Sequence, residues 1–349
     1  MTGTGQLVPA LRSQGRFCSG SGSPMYAELL ERIAHDVEVG GVFATILSGH
    51  EDTPAQHAIP LRLLGGLHRM VLDGRAAELQ PWYPSVGGRW AANAAWPEVL
   101  HVAAHHTTAL RAALDNAPQT NEVGRSAALI GGLLALRREF ELPIRLFEIG
   151  TSAGLNLRAD RYRYLHAGGG WGPSDSPVQI DNAWRGPLPP HAALSIVERT
   201  GYDIAPLDVT SADAQLHLLS YVWPDQRARL QRLRGAIEVA REVPARLHRA
   251  SAGEAVAGLA LADGTLTVLW HSITWQYIAE AEKAAIRDGI EALAAGADAR
   301  SPFAHLTLEP TRDTASGPLK FLVRARSWPN DELRILAECH PHGPPVVWR

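Results

Sequence analysis

A short apolar run, Ile144 to Ile149 (IRLFEI), leads straight into a turn carrying Gly150 and Gly154, and this junction limits the fold more than any other part of the chain. Glycine takes left-handed backbone angles at little cost, so glycines placed directly after a buried strand mark the tight strand-to-helix turn of an α/β core. The strand carries an acid near its end, Glu148, and Thr151, Ser152 and Asn156 fill the turn and the expected helix start. A turn of this kind lets a ligand approach the main chain, and the first amides of a helix offer hydrogen-bond donors. The glycine spacing is G-x-x-x-G. A dinucleotide cradle wants G-x-G-x-x-G, so a nucleoside with one carboxylate and no phosphates suits the turn better than NAD.

The rest of the chain supports that reading. From Pro24 to about Phe140, the segments YAELLERIAHDVEVG, LRLLGGLHRMVLDG, WPEVLHVAAHHTTALRAALDN and GRSAALIGGLLALRREF repeat apolar residues at three- and four-residue spacing, which predicts helices. PWYPSVGG, residues 81–88, reads as a loop. After Pro143 short apolar runs alternate with helical stretches: IRLFEI, LSIVE (194–198), ARLHRA (245–250), LTVLWHS (266–272) and FAHLTLE (303–309). Alternation of this sort predicts βαβ units and a mainly parallel sheet. LKFLVRARSW and ELRILAECH, joined by PND, read as a C-terminal antiparallel hairpin. The expected organisation is an α-helical N-terminal cap over residues 1–118 and a Rossmann-like α/β domain over 119–349, with a Gly-, Pro- and Trp-rich insertion at about 165–190 that reads as a flap.

In an open parallel sheet, ligands sit at the carboxyl ends of the strands where the strand order reverses. The groups expected there are Glu198 after the second strand, Ser251 after the third, His271 and Ser272 after the fourth, and Glu309 after the fifth. Glu198 is either a ribose-binding acid or a solvated strand-end charge. His271 is a candidate general base, since imidazole titrates near neutral pH, or a structural histidine. Ser272, Trp275 and Gln276 share its segment, HSITWQY, and are substrate-binding candidates. Just before the first strand, QTNEVGR offers Asn121 and Glu122, either as a helix cap with a charge favouring the dipole or as ligand contacts. Tyr83, in the PWYPSVGG loop, is a further substrate-binding candidate, and Trp82, Trp90, Trp171 and Trp184 are either closing aromatics or packing.

Other chemistries find little footing. His101 and His105 have a metal-compatible spacing but lack the acid and third ligand of H-E-x-x-H, so no metal is expected. T-S-A-G does not place Ser152 in a G-x-S-x-G elbow, which leaves hydrolase chemistry unsupported. A net charge of −3 gives no basic field for nucleic acid. The two cysteines, Cys18 and Cys339, fit neither a disulfide framework nor a metal motif. Residues 1–24 show no basic region followed by an apolar run, so a cytoplasmic protein without an export signal or membrane segment is expected.

The order of helical N-terminus, E-x-G-x-x-x-G turn, alternating strands and terminal hairpin resembles the class I S-adenosylmethionine-dependent methyltransferases over about residues 120–349. More closely, WYPSVGG, QTNEVGRSAAL, FEIGTSAGLNLRADRY, LSYVWPDQ and WHSITWQY resemble the uncharacterised bacterial family called domain of unknown function 2332 across nearly the whole chain. The methyltransferase resemblance implies an S-adenosylmethionine cofactor, with Glu148, Gly150, Ser152 and Gly154 lining its methionine portion, Glu198 as the ribose acid, and His271 where those enzymes orient or deprotonate the acceptor. Two features differ from that pattern: the insertion before Glu198, and TRDTASGPL, which is too short for a crossover helix. The expected activity is methyl transfer to a small molecule. A non-catalytic nucleoside-binding or regulatory protein and an NAD-linked oxidoreductase are the alternatives.

Overall fold

The computed structural model describes residues 5–312 and 317–349. The first six helices are α1 (Leu7–Gly20), α2 (Pro24–Glu38), α3 (Val42–Ile46), α4 (Ile59–Leu72), α5 (Ala92–His105) and α6 (Thr107–Ala113). Helix α7 (Ser126–Arg137) leads into strand β1 (Ile144–Ile149), followed by the short strands β2 (Arg163–His166), β3 (Gly169–Trp171), β4 (Gln179–Ile180) and β5 (Trp184–Arg185). Then come β6 (Ile196–Asp203), α8 (Ala212–Ser220), α9 (Arg227–Glu242), β7 (Arg246–Arg249), α10 (Ala252–Ala257), β8 (Leu266–Ser272) and α11 (Glu280–Gly296). The chain ends with β9 (Phe303–Arg312), β10 (Leu319–Trp328), β11 (Glu332–His340) and β12 (Gly343–Trp348).

Two compact units divide these elements. The first comprises Met1–Thr120 and Ser211–Gln231, the second Asn121–Thr210 and Arg232–Arg349. Residues 211–231, read from sequence as part of the α/β domain, therefore belong with the helices. The first unit packs around one apolar core. Helix α2 shows how it is built: Ser23 accepts the Tyr26 amide at 3.4 Å, Pro24 opens the first turn, and Met25, Leu29, Leu30 and Ile33 bury one face. Helix α1 was not foreseen, and the single helix expected over WPEVLHVAAHHTTALRAALDN is broken at His106. Thr107 Oγ1 donates to Ala103 O at 2.9 Å, a side-chain bond that competes with the helical ladder at that break.

In the second unit a large sheet runs in the order β5-β12-β11-β10-β9-β8-β1-β6-β7. From β7 to β9 every neighbouring pair is parallel, whereas β9, β10, β11 and β12 form an antiparallel meander. The architecture is thus mixed α/β, with N-terminal helices, parallel central strands and antiparallel C-terminal strands. TRDTASGPL joins antiparallel β9 to β10, and its residues 313–316 lie outside the described residues. One sheet face packs on α10 and α11 through Phe147, Ile149, Leu269, Ile286 and Phe303. The other receives α7, whose Gly131 and Gly132 leave no room for a Cβ: one would come within 1.9 Å of Trp348 and 2.6 Å of Leu306.

The expected flap is a packed subdomain. Strands β3, β2 and β4 form a separate small sheet, Trp171 and Trp184 are buried, and Tyr164 stacks on Trp184 at 5.4 Å. The Trp184 indole N–H also donates to Ala127 O at 2.9 Å, so these aromatics are packing groups. Strand β12 was missed because Pro344 and Pro345 read as loop, although the strand ladders to β11.

Candidate functional site at the carboxyl edge

From β1 the chain crosses to β6 and β7 on one side and later returns to β8 on the other, so the strand order reverses beside β1. The glycine turn sits at the carboxyl end of β1, at this reversal. Gly150, Ser152 and Gly154 all have left-handed angles (φ +68°, +54° and +67°), and a Cβ on Gly150 would lie 2.3 Å from Thr274 Oγ1. Five amides of the turn are already used. Gly150 N and Thr151 N donate to Tyr202 O at 2.9 and 3.1 Å, Ser152 N to Asp203 Oδ2 at 2.8 Å, Gly154 N to Thr151 O at 2.8 Å, and Leu155 N to Asn121 Oδ1 at 2.9 Å. The helix expected to start here is a seven-residue 3₁₀ stretch, Leu155–Arg161. Side chains have taken carbonyls that an α-helix would use: Arg158 binds Gly154 O, Tyr162 OH binds Leu155 O, and Tyr164 OH binds Ala159 O. Fewer spare amides are offered here than a regular helix start would give, and polar side chains remain beside them. Ser152 Oγ and Asn156 Oδ1 are buried without a hydrogen-bond partner.

Glu148 lies under the turn, buried, with Thr151 Oγ1 donating to its carboxyl at 2.7 Å. Burial pushes its pKa up to about 7, against the opposing pull of that hydroxyl. The QTNEVGR helix start is brought to the same place. Asn121 holds Leu155 N, the Glu122 carbonyl faces Asn156 Nδ2 at 3.4 Å, and Glu122 Oε1 accepts Gly124 N at 3.1 Å. Arg125 ties this segment to β8, donating to Ser272 O at 3.2 Å. The capping side chain ahead of α7 is thus Glu122 and not Asn121, which holds the glycine turn instead.

Glu198 is elsewhere. It is the third residue of β6, paired at 2.6 Å with Arg145 near the start of β1, and it lines an amino-edge groove with Arg199 and Arg246. The strand runs five residues beyond the LSIVE segment, which carries the acid away from the edge where sequence placed it. Asp203 occupies that edge instead, half-buried, accepting Ser152 N through Oδ2 and Ala205 N through Oδ1 (2.9 Å). Ile204 beside it is 74% exposed. Ser251, also expected at the edge, is committed to a capping box with Glu254 that starts α10.

His271 is the penultimate residue of β8 and is 2% exposed. Its Nδ1 lies 2.7 Å from Glu309 Oε1 and its Nε2 lies 3.1 Å from His305 Nε2, so both ring nitrogens are engaged. An acceptor-facing base is not what this burial provides. Burial, with His271, Arg324 and Arg326 nearby, holds the His305 pKa well below the usual imidazole range. Glu309 Oε1 also accepts Thr274 N at 2.9 Å and Trp275 N at 3.2 Å. Just before them Ile273 adopts φ +52°, a strained angle for a β-branched residue. Trp275 stacks on His271 at 5.5 Å, Ser272 is buried and Gln276 is exposed. His305 and Asp203 drew no attention in the sequence; the alternation His305, Thr307, Glu309 on one strand was the available signal for the buried cluster.

Tyr83 belongs to the first unit, fully buried in its core and 5.8 Å from the His68 ring, so it does not present a substrate-binding surface. Among the described residues, no three His, Cys, Asp or Glu side chains are arranged to hold a metal ion, and no helix is long and apolar enough to cross a membrane.

The fold and site thus define an α/β protein with a polar, partly strained carboxyl edge beside its first strand. The chain belongs to the bacterial family described as "Uncharacterized protein conserved in bacteria (DUF2332)", whose model matches residues 9–348. No curated protein and no solved structure matches it.

Proposed function

We propose that the carboxyl-edge crevice of the second unit binds S-adenosylmethionine and that the protein transfers its methyl group to a small-molecule acceptor. The parallel order β7-β6-β1-β8-β9 supports reading the sheet as Rossmann-like, a class in which ligands sit where the strand order reverses. The observation that carries the reading is the pair of buried, unpartnered atoms Ser152 Oγ and Asn156 Oδ1 at the glycine turn. Buried polar atoms of this kind are normally satisfied, and a ligand's polar groups would satisfy them. These residues fit an adenosyl ligand on three counts. Asp203 retains lone pairs for ribose hydroxyls, the exposed Ile204 offers an apolar surface for a flat base, and Glu148 stands beside the turn for the methionine portion. The G-x-x-x-G spacing, with five of the turn's amides occupied, weighs against NAD, whose pyrophosphate is served by a G-x-G-x-x-G turn with free N–H groups.

When bound, the cofactor supplies an electrophilic methyl on a sulfonium. The chain's contribution is orientation, since holding two reactants in line removes much of the entropic barrier. Residues of the β1 and β8 turns would form the walls that do so. His271 acts from behind the β8 turn. Its engaged ring nitrogens also favour a second reading, a nucleoside-binding protein without turnover.

Calorimetric titration with S-adenosylmethionine, S-adenosylhomocysteine, NAD and ATP tests the proposal, with Gly150→Arg and Asp203→Ala as controls. Binding of both adenosyl compounds, lost in the variants, is expected. Absence of binding at millimolar concentration, or preference for NAD, overturns it. Transfer of labelled methyl to acceptors in a metabolite extract separates catalysis from binding alone.

A further inference from the structure

We propose that Glu309 is the positioning residue of the crevice, fixing the β8 turn against Gly150 through one carboxylate oxygen that receives three donors. The inference rests on the binding reading above for its ligand arm, while its structural arm stands alone. Glu309 Oε1 accepts from His271 Nδ1 (2.7 Å), Thr274 N (2.9 Å) and Trp275 N (3.2 Å). Those two amides follow directly on Ile273, whose left-handed angle persists only if the surroundings hold it. Ile273 N donates to Leu308 O at 2.9 Å, so β9 grips the turn through both its main chain and its carboxylate. The held turn places Thr274 in the space a Cβ on Gly150 would need, which links Glu309 to the glycine turn across the β1–β8 reversal.

The remainder of the cluster orients the carboxylate. With His305 neutral, the imidazole pair fixes His271, and His271 in turn fixes Glu309. Glu309 Oε2 has no hydrogen-bond partner although the residue is 4% exposed, so the hydrogen bonds that aim the carboxylate all fall on Oε1, with the Arg324 guanidinium near enough to attract its charge. Leaving an acceptor unpaired in a buried place is unfavourable. Its persistence fits a carboxylate held for the turn's geometry.

Hydrogen exchange of the full chain, resolved at Thr274 and Trp275, tests this with Glu309→Gln and Glu309→Leu. The amide variant keeps a carbonyl oxygen for the turn, and the apolar one does not. Exchange at both amides should rise roughly 100-fold in Glu309→Leu, since the turn opens as one unit and loses both main-chain bonds to a charged acceptor, each worth about a factor of ten or more. Glu309→Gln should recover most of that protection. Equal exchange in the two variants, or no change in either, overturns the assignment. Should Glu309→Leu fail to fold, His271→Asn against Glu309→Gln decides: greater loss of turn protection in His271→Asn would place the anchor on the imidazole and refute Glu309. As a second readout, S-adenosylhomocysteine affinity should fall more in Glu309→Leu than in Glu309→Gln. A wild-type chain that does not bind this probe refutes the binding reading, and the exchange result still decides the role of Glu309.

Discussion

Replacing Gly150 by alanine puts two separable costs on the chain. The backbone cost arises because φ is +68°, a left-handed angle that costs an L-residue about 1–2 kcal/mol. The steric cost arises because the new Cβ would lie 2.3 Å from Thr274 Oγ1 and 2.6 Å from its Cγ2, contacts that force a neighbour to move. Overpacking of this kind typically costs about 1–3 kcal/mol. Gly150→Ala alone should therefore destabilise the second unit by roughly 2–5 kcal/mol. Thr274→Ala removes the clashing Oγ1 and Cγ2 but retains the main-chain bond to Glu309, so it should cost little by itself. The double variant should then recover most of the steric part, a coupling of about 1–3 kcal/mol, and keep the backbone part together with the residual 3.0 Å approach to the Cβ of residue 274. Urea unfolding followed by tryptophan fluorescence, with hydrogen exchange in β1 to assign the transition to the second unit, measures all four corners of the cycle. Additivity within about 0.5 kcal/mol would refute the contact between the two turns.

Four further outcomes follow from the same geometry. Glu148 keeps its proton in the folded chain up to about pH 7 and loses it near 4.5 when unfolded, so its contribution is full below 4.5 and is lost as pH rises through 7. The loss is about 3 kcal/mol, and Glu148→Gln should flatten the slope of stability against pH in that window. Ser152→Gly relieves φ +54° and removes an unpartnered hydroxyl, so thermal unfolding should shift upward or stay level while adenosyl affinity falls. Asp203→Asn should weaken S-adenosylhomocysteine binding about tenfold or more, the scale of one lost charged hydrogen bond, and Glu198→Gln should leave it unchanged; calorimetry with both variants would expose the reverse order. Gly131→Ala drives a Cβ into Trp348, and denaturant midpoints should show a loss of about 1–3 kcal/mol.

Local pattern made the central strands legible. LTVLWHS is continuous β8, and IRLFEI is β1, because parallel strands buried on both faces read as mainly apolar runs. The glycine turn was visible for the same reason, its angles being ones that few residues besides glycine adopt easily. What sequence misjudged depended on register and on partners distant along the chain. Glu198 was placed at the wrong end of its strand because IVERTGYD carries little apolar contrast by which to find its limits. The buried chain from Glu309 through His271 to His305 joins two neighbouring parallel strands whose facing register no local period encodes. Asn121 could not be located beside the glycine turn until α7 was seen to lead its start to the carboxyl edge.

Hydrogen exchange of the wild-type chain with and without saturating S-adenosylhomocysteine tests the central claim most directly. Protection should appear in residues 148–156 and 202–205, at the carboxyl ends of β1 and β6. Unchanged exchange there, or protection confined to the helical first unit, would contradict the account.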